Sequence, residues 1–365
     1  MAAFSRGGHA PVARSPFQAA PAPAPGGAGA WSGADHDATG PMLGRGSELQ
    51  RLYNMPVTMG HESGVNCMAM VDDRIYSGGR DNQIFAWRGQ PAQGGFELQP
   101  DAAPISLASS IMSLCYEPAS KWLFCGLWSG EIQAFCKDPV QEDRLTGHRR
   151  SVGAIAVHSS VVISGSHDGT VRLWTMDPQT RRFRCHGQPL ENPSGPVACL
   201  KVLGDGLWVG GQNGLTCFDL NTLQARGTIP SVHQVTRLVE CQGYMVATFR
   251  NGDCKIYDAA GNEVFNRPSR GEHQSNTAVE IMVHPVTNKP LLLCGQQAGY
   301  ITAYDLPEFR PRGSWVCKQN SDVKAILDAK CNGMFVTAGA HGDIMVWQWG
   351  APGQAGPRAA ASPFA

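Results

Sequence analysis

At 365 residues the chain has room for two average domains or one large all-β domain, and 42% hydrophobic with 16% charged residues is an ordinary globular balance. Thirty basic and thirty acidic residues cancel to a formal net charge of zero, which removes the global electrostatic argument for nucleic-acid binding and leaves only a local basic patch open. No apolar run approaches the ~20 residues needed to span a bilayer, and Met1-Ala2-Ala3-Phe4-Ser5-Arg6 lacks the apolar core of a secretory signal.

Residues 1–46 are rich in Ala, Pro and Gly, as in Ala20-Pro21-Ala22-Pro23-Ala24-Pro25. Such a segment buries too little surface to offset its ordering entropy, so a disordered tail is expected there. Its early arginines, Arg6 and Arg14, precede the first acid, Asp35, as in an organelle transit peptide, but the proline density argues against an amphipathic helix. Residues 48–53 then have strand character. The chain carries 43 glycines and 25 prolines, and from there to residue 349 many of them punctuate short apolar runs, as tight turns between short strands require.

Those runs repeat. Residues 164–174 read as a strand end, a polar turn and an alternating strand closed by Trp174. The same eleven-residue frame fits 77–87, 125–135, 247–257, 294–304 and 337–347 without a gap, and 209–218 with one residue deleted at the turn. The closing aromatics are Trp87, Phe135, Trp174, Phe218, Tyr257, Tyr304 and Trp347, separated by 48, 39, 44, 39, 47 and 43 residues. Strand–turn–strand chemistry at this period predicts an all-β propeller of seven four-stranded blades. Ahead of each frame lies another apolar strand headed by Val or Ile, at Val65, Ile111, Val152, Val197, Val235, Val279 and Val323. These are expected to be the innermost strands, lining the central channel with small or apolar side chains. The seventh unit runs out after three strands, and residues 48–53 can supply its missing outer strand, closing the ring. The expected organisation is therefore a tail over 1–46, a propeller over 47–349 and a second disordered tail over 350–365.

Two units carry a set of polar residues that resembles the WD40 family: Gly60-His61, Ser77, Asp81 and Trp87 in the first, and Gly147-His148, Ser164, Asp168 and Trp174 in the third. The resemblance implies a hydrogen-bonded chain within each of these blades, a structural network that locks loop to turn. The other five units lack the His, the Asp or the Trp and are expected to lean on apolar packing. The stretches Lys289 to Cys294, Tyr304 to Phe309, Arg312-Gly313, Val323 to Ile326 and Met345 to Trp349 further resemble the plant family that joins CCCH zinc fingers to a WD-repeat propeller. No cysteine precedes Cys67, so no such finger forms within this sequence, and the RNA contact that fingers imply is not carried across.

The twelve cysteines and eleven histidines show no ligand spacing of a metal site, and no Cys-x-x-Cys pair occurs. Cysteines set in apolar runs, such as Cys294 after Leu291-Leu292-Leu293, read as reduced core thiols of a cytoplasmic or nuclear protein. No P-loop, nucleophile elbow or dinucleotide fingerprint is present, and Ser164, His167 and Asp168 are the strand and turn of a repeat. No catalytic residue, metal, cofactor, membrane or small-molecule substrate is therefore expected. The candidate site is instead a face. The fourth frame position, on the turn between second and third strands, supplies Arg80, Trp128, His167, Gln212, Arg250 and Gln297, with Arg149 and Arg150 after Gly147-His148. Trp128 and the arginines are interface anchors if a partner buries them; alternatively Trp128 folds over its neighbouring blade and the arginines are solvated. The expected function is a non-catalytic scaffold for other proteins, with RNA or ribonucleoprotein binding through the same face as the alternative.

Overall fold

Each repeat becomes one antiparallel sheet because its strands are short, adjacent in sequence and joined by turns that reverse the chain. In the computed structural model, residues 49–350 are described, except 57–58, 93–94, 138–139, 270–274, 319 and 331–332. The expected tails over 1–46 and 350–365 thus lie outside the described residues, apart from Gly350. Seven sheets form, six of four strands and one, the first, with a short fifth strand at Ile105–Ser106.

The inner strands are Val65–Val71, Ile111–Glu117, Val152–His158, Val197–Leu203, Val235–Cys241, Asn276–Val283 and Val323–Asp328. Each packs against the inner strands of the blades on either side, and the seventh meets the first, so the sheets close into a ring. The sixth inner strand starts three residues earlier than its Val279 suggested, at Asn276. At the seam, Leu49–Asn54 pairs antiparallel with Ile344–Trp349, Leu49 opposite Trp349 and Arg51 opposite Trp347. The N-terminal strand thereby becomes the outer strand of the last blade and leaves no open edge at the junction.

The core lies between blades. Ile163 and Leu173 of the third blade share one apolar cluster with Val197 and Leu207 of the fourth, and Val336 and Val346 of the seventh share another with Val65 and Ile75 of the first. Glycine at the second frame position sets this spacing. A Cβ on Gly165 would lie 2.5 Å from Val197 Cγ1, one on Gly78 2.4 Å from Ile111 Cγ2, and one on Gly295 2.6 Å from Val323 Cγ1. Each glycine thus admits the β-branched head of the next inner strand. In the fifth blade that place is held by Thr248, and the next inner strand is headed by Asn276, itself not β-branched; in the seventh blade the place is held by Ala338.

All seven inner strands carry a register shift after their first residue. A β-bulge leaves one residue unpaired and re-aims its side chain. Those residues are Asn66, Met112, Gly153, Ala198, Thr236, Thr277 and Lys324, and all seven line the mouth of the central channel. The channel therefore departs from the small or apolar lining expected of these strands. Freed from the ladder, the bulged position faces the channel mouth and accepts polar and charged side chains as well as small or apolar ones.

Candidate functional site

The upper face is built by backbone geometry that repeats from blade to blade. The N–H at the fourth frame position donates to the carbonyl just ahead of the inner strand: Arg80 to Gly64 at 2.8 Å, Trp128 to Ser110 at 2.9 Å, His167 to Ser151 at 3.0 Å and Arg250 to Gln234 at 2.9 Å. Gln297 to Ser275 at 3.2 Å and Ala340 to Asp322 at 2.9 Å continue the pattern. In the fourth blade the shortened turn moves the donor one residue on, to Asn213, which reaches Ser194 at 3.0 Å. These bonds tie each turn to the loop leading into the same blade and hold both on one face of the disc.

In blades one and three, side chains reinforce that tie. The indole N–H of Trp87 donates to Ser77 Oγ at 2.8 Å, Ser77 Oγ lies 2.8 Å from His61 Nε2, and His61 Nδ1 lies 2.9 Å from Asp81 Oδ2. Trp174, Ser164, His148 and Asp168 repeat the chain at 2.8, 2.8 and 3.1 Å. One proton arrangement satisfies every member: serine accepts from tryptophan and donates to Nε2, and a neutral histidine donates from Nδ1 to the carboxylate. Burial lowers both histidine pKa values, against the pull of the neighbouring Asp81 and Asp168, in keeping with neutral rings. Burial works to raise the Asp168 pKa, but the backbone N–H of Arg149, the Thr170 hydroxyl and N–H, and His148 together bring it down to about 2. Because Arg149 N donates to Asp168 Oδ2 at 2.9 Å, the network also fixes the backbone that presents Arg149 and Arg150.

The seventh blade keeps a fragment of this chain. Trp347 donates to Thr337 Oγ1 at 2.9 Å, and Ser321 Oγ, standing where the histidine would, donates to Asp343 at 2.8 Å. That blade thus combines apolar packing with polar ties. Trp122, Trp208 and Trp349 bury their indole N–H groups with no acceptor among the described residues.

On the upper face, Arg150, His167, Gln212 and Arg250 converge on one cavity of about 590 Å³ over blades three to five. Beside it the channel mouth, about 300 Å³, shares His167 and Arg250 and adds Gln297. Arg80, Trp128 and Arg149 stand outside both. Trp128 is 61% exposed. The frame alone did not single out Asn213, Val232, His233, Gln234 and Asn251 in the cavity, or Arg237 and Lys324 in the channel mouth. Val232, His233 and Gln234 sit just ahead of the fifth inner strand, and that place in the repeat is the signal that locates them.

Arg237 is enclosed by the ring. It donates to the carbonyl of Thr236 at 2.9 Å and reaches that of Lys324, across the channel, at 3.5 Å; burial lowers its pKa. From the sixth inner strand, Glu280 has its carboxyl pushed up to about 7 by burial, opposed by Lys330 and Lys201. Among the described residues, no three His, Cys, Asp or Glu side chains are grouped so as to hold a metal ion. No helix among them is long and apolar enough to cross a membrane.

Comparison with known proteins bears on this architecture. The family described as "WD domain, G-beta repeat" matches residues 53–88 and 139–175, the two units with complete His–Asp–Ser–Trp chains. Zinc finger CCCH domain-containing protein 17 of Oryza sativa subsp. japonica is 26% identical over 303 residues, covering 80% of this chain and 64% of its own length. Zinc finger CCCH domain-containing protein 62 of Arabidopsis thaliana is 25% identical over 297 residues, covering 79% of this chain and 68% of its own. The chain thus spans about two-thirds of the length of these relatives. Among solved structures, the WD40 β-propeller domain of Doa1 superposes with a TM-score of 0.67 at 15% identity, covering 83% of this chain and 97% of that one, a likeness of fold.

Proposed function

We propose that this seven-bladed propeller of WD40 repeats is a non-catalytic scaffold that binds other proteins through its upper face, as part of a larger cytoplasmic or nuclear assembly. The observation that carries the reading is the convergence of Arg150, His167, Gln212 and Arg250 on one open cavity, on the face that also carries the exposed ring of Trp128. A rigid ring holds these groups in place before any partner arrives, which reduces the ordering cost of association. Arg and Trp are also the residue types that dominate interface energetics once desolvated. Arg80, Arg149 and Gln297 extend the same face beyond the cavity.

The test is affinity capture from cells with quantitative mass spectrometry, comparing wild type, Trp128→Ala/Arg250→Ala, and Lys289→Ala. Lys289 lies in the hairpin between Asn276–Val283 and Pro290–Gln296, at the opposite end of its blade. Partners lost with the upper-face variant and kept with Lys289→Ala support the reading. Retention of every partner by the double variant refutes this face. RNA binding through the same face is the alternative: the exposed ring of Trp128 offers a base one stacking platform, but neither cavity is lined by Phe, Tyr or Trp that would continue it.

A further inference from the structure

Charge is distributed unevenly over this neutral molecule. The cavity over blades three to five is lined by Arg150, Arg250, His167 and His233, and the adjoining channel mouth adds Arg237 and Lys324. Neither is lined by a single Asp or Glu. Elsewhere on the disc, arginines hold carboxylates: Arg226 bridges Asp205 and Asp219, Arg74 and Arg88 share Asp101, and Arg312 meets Asp305. At the channel mouth Lys324 is paired with Asp322 at 2.8 Å, and in the third blade Asp168 is committed to His148. Among the described residues, neither Arg150 nor Arg250 has a carboxylate within ion-pair distance. The nearest polar contact of the Arg250 guanidinium is the Gln234 amide oxygen, at 3.4 Å.

We propose that this cavity is a receptor for an acidic peptide segment, whose Asp or Glu side chains supply the carboxylates that Arg150 and Arg250 lack. The inference rests on the scaffold reading and names the chemistry of the partner. Three features favour a peptide over a nucleic acid. The amide side chains of Gln212, Asn213, Gln234 and Asn251 ring the arginines and offer both donors and acceptors to a peptide backbone. Val232, 94% exposed at the rim, gives an apolar contact for a side chain flanking the acids. No Phe, Tyr or Trp lines the cavity, whereas single-stranded nucleic acid is held largely by stacking on such broad rings. Bidentate pairing of a guanidinium with a carboxylate then sets orientation as well as attraction.

Fluorescence anisotropy of a short labelled Asp/Glu-rich peptide, titrated with the full chain at low salt, tests the proposal. Binding is expected to weaken about tenfold or more with Arg250→Glu, and further with Arg150→Glu/Arg250→Glu. Arg250→Gln, which removes the charge without adding repulsion, weakens it less. Lys289→Glu, an equal change in net charge on the opposite face, leaves it within about twofold. Thermal unfolding of each variant verifies the fold. Absence of peptide binding, or equal loss with Lys289→Glu, overturns the proposal. So does an unlabelled oligouridine that binds more tightly than the peptide and is released by Arg250→Glu, which hands the cavity to nucleic acid. If cellular partners are still lost with Trp128→Ala/Arg250→Ala while the acidic peptide fails to bind, the scaffold reading stands and this inference alone falls.

Discussion

Asp168→Asn removes one carboxylate oxygen from a place where both are in use. Oδ2 accepts from Arg149 N at 2.9 Å and pairs with His148 Nδ1 at 3.1 Å; Oδ1 accepts from Thr170 N at 2.9 Å and Thr170 Oγ1 at 2.7 Å. An asparagine amide satisfies one of these pairs and turns an N–H₂ toward the donors of the other. Two charge-assisted bonds weakened or lost at a site with 5% side-chain exposure cost about 3–5 kcal/mol. A second route gives a comparable figure. The Asp168 pKa falls from 3.8 to about 2, and at about 1.4 kcal/mol per unit this is roughly 2.5 kcal/mol. The sign follows from the depressed folded-state value: the contribution is complete above the unfolded pKa and is lost as pH falls through 3.8 toward about 2. Urea unfolding followed by tryptophan fluorescence should therefore show Asp168→Asn destabilised by ~2–5 kcal/mol at pH 7. The gap to wild type should narrow steadily below about pH 5. A loss under ~1 kcal/mol at pH 7, or a gap that does not change with pH, would refute the account of the network.

Other consequences are independent of that site. Gly165→Ala forces a Cβ to 2.5 Å from Val197 Cγ1 and should cost about 1–3 kcal/mol by overpacking. Val197→Ala in the same chain should return part of that loss, and a double variant no more stable than Gly165→Ala would argue against blade spacing as the cause. Trp174 and Trp208 are both buried, but only Trp174 has an acceptor for its indole N–H. Trp174→Phe should therefore be less stable than Trp208→Phe by ~1–2 kcal/mol in urea unfolding, and equal losses would count against a stabilising role for the Ser164 bond. Glu280 has a folded-state pKa raised to about 7, so its contribution is present below the unfolded value near 4.5 and is lost as pH rises through about 7. Glu280→Gln should consequently raise the thermal midpoint at pH 8 and leave it nearly unchanged at pH 4. An unchanged midpoint at pH 8 would mean that folding does not desolvate the Glu280 carboxylate.

Local chemistry makes much of the molecule legible in the order of its residues alone. Turn residues between short alternating strands carry the blade motif, which depends on neighbours in sequence; a period set by the closing aromatics carries the ring, and a spare strand ahead of the first unit, matched to a last unit one strand short, carries its closure. The polar chains of blades one and three are visible for the same reason: His, Ser, Asp and Trp fall at fixed offsets in one repeat. What the tertiary structure alone decided lies where blades meet. The bulges leave no mark in residue type, so Lys324 and Asn66 gave no warning that they point into the channel mouth. The one-residue deletion at the turn of the fourth blade is visible in sequence, but that it shifts the donor from Gln212 to Asn213 is a matter of backbone path. The acid-free cavity is assembled from three blades, Arg150 coming from one and Arg250 from another 100 residues along the chain. A field of that kind belongs to the arrangement of charges in space, and a net charge of zero hides it completely.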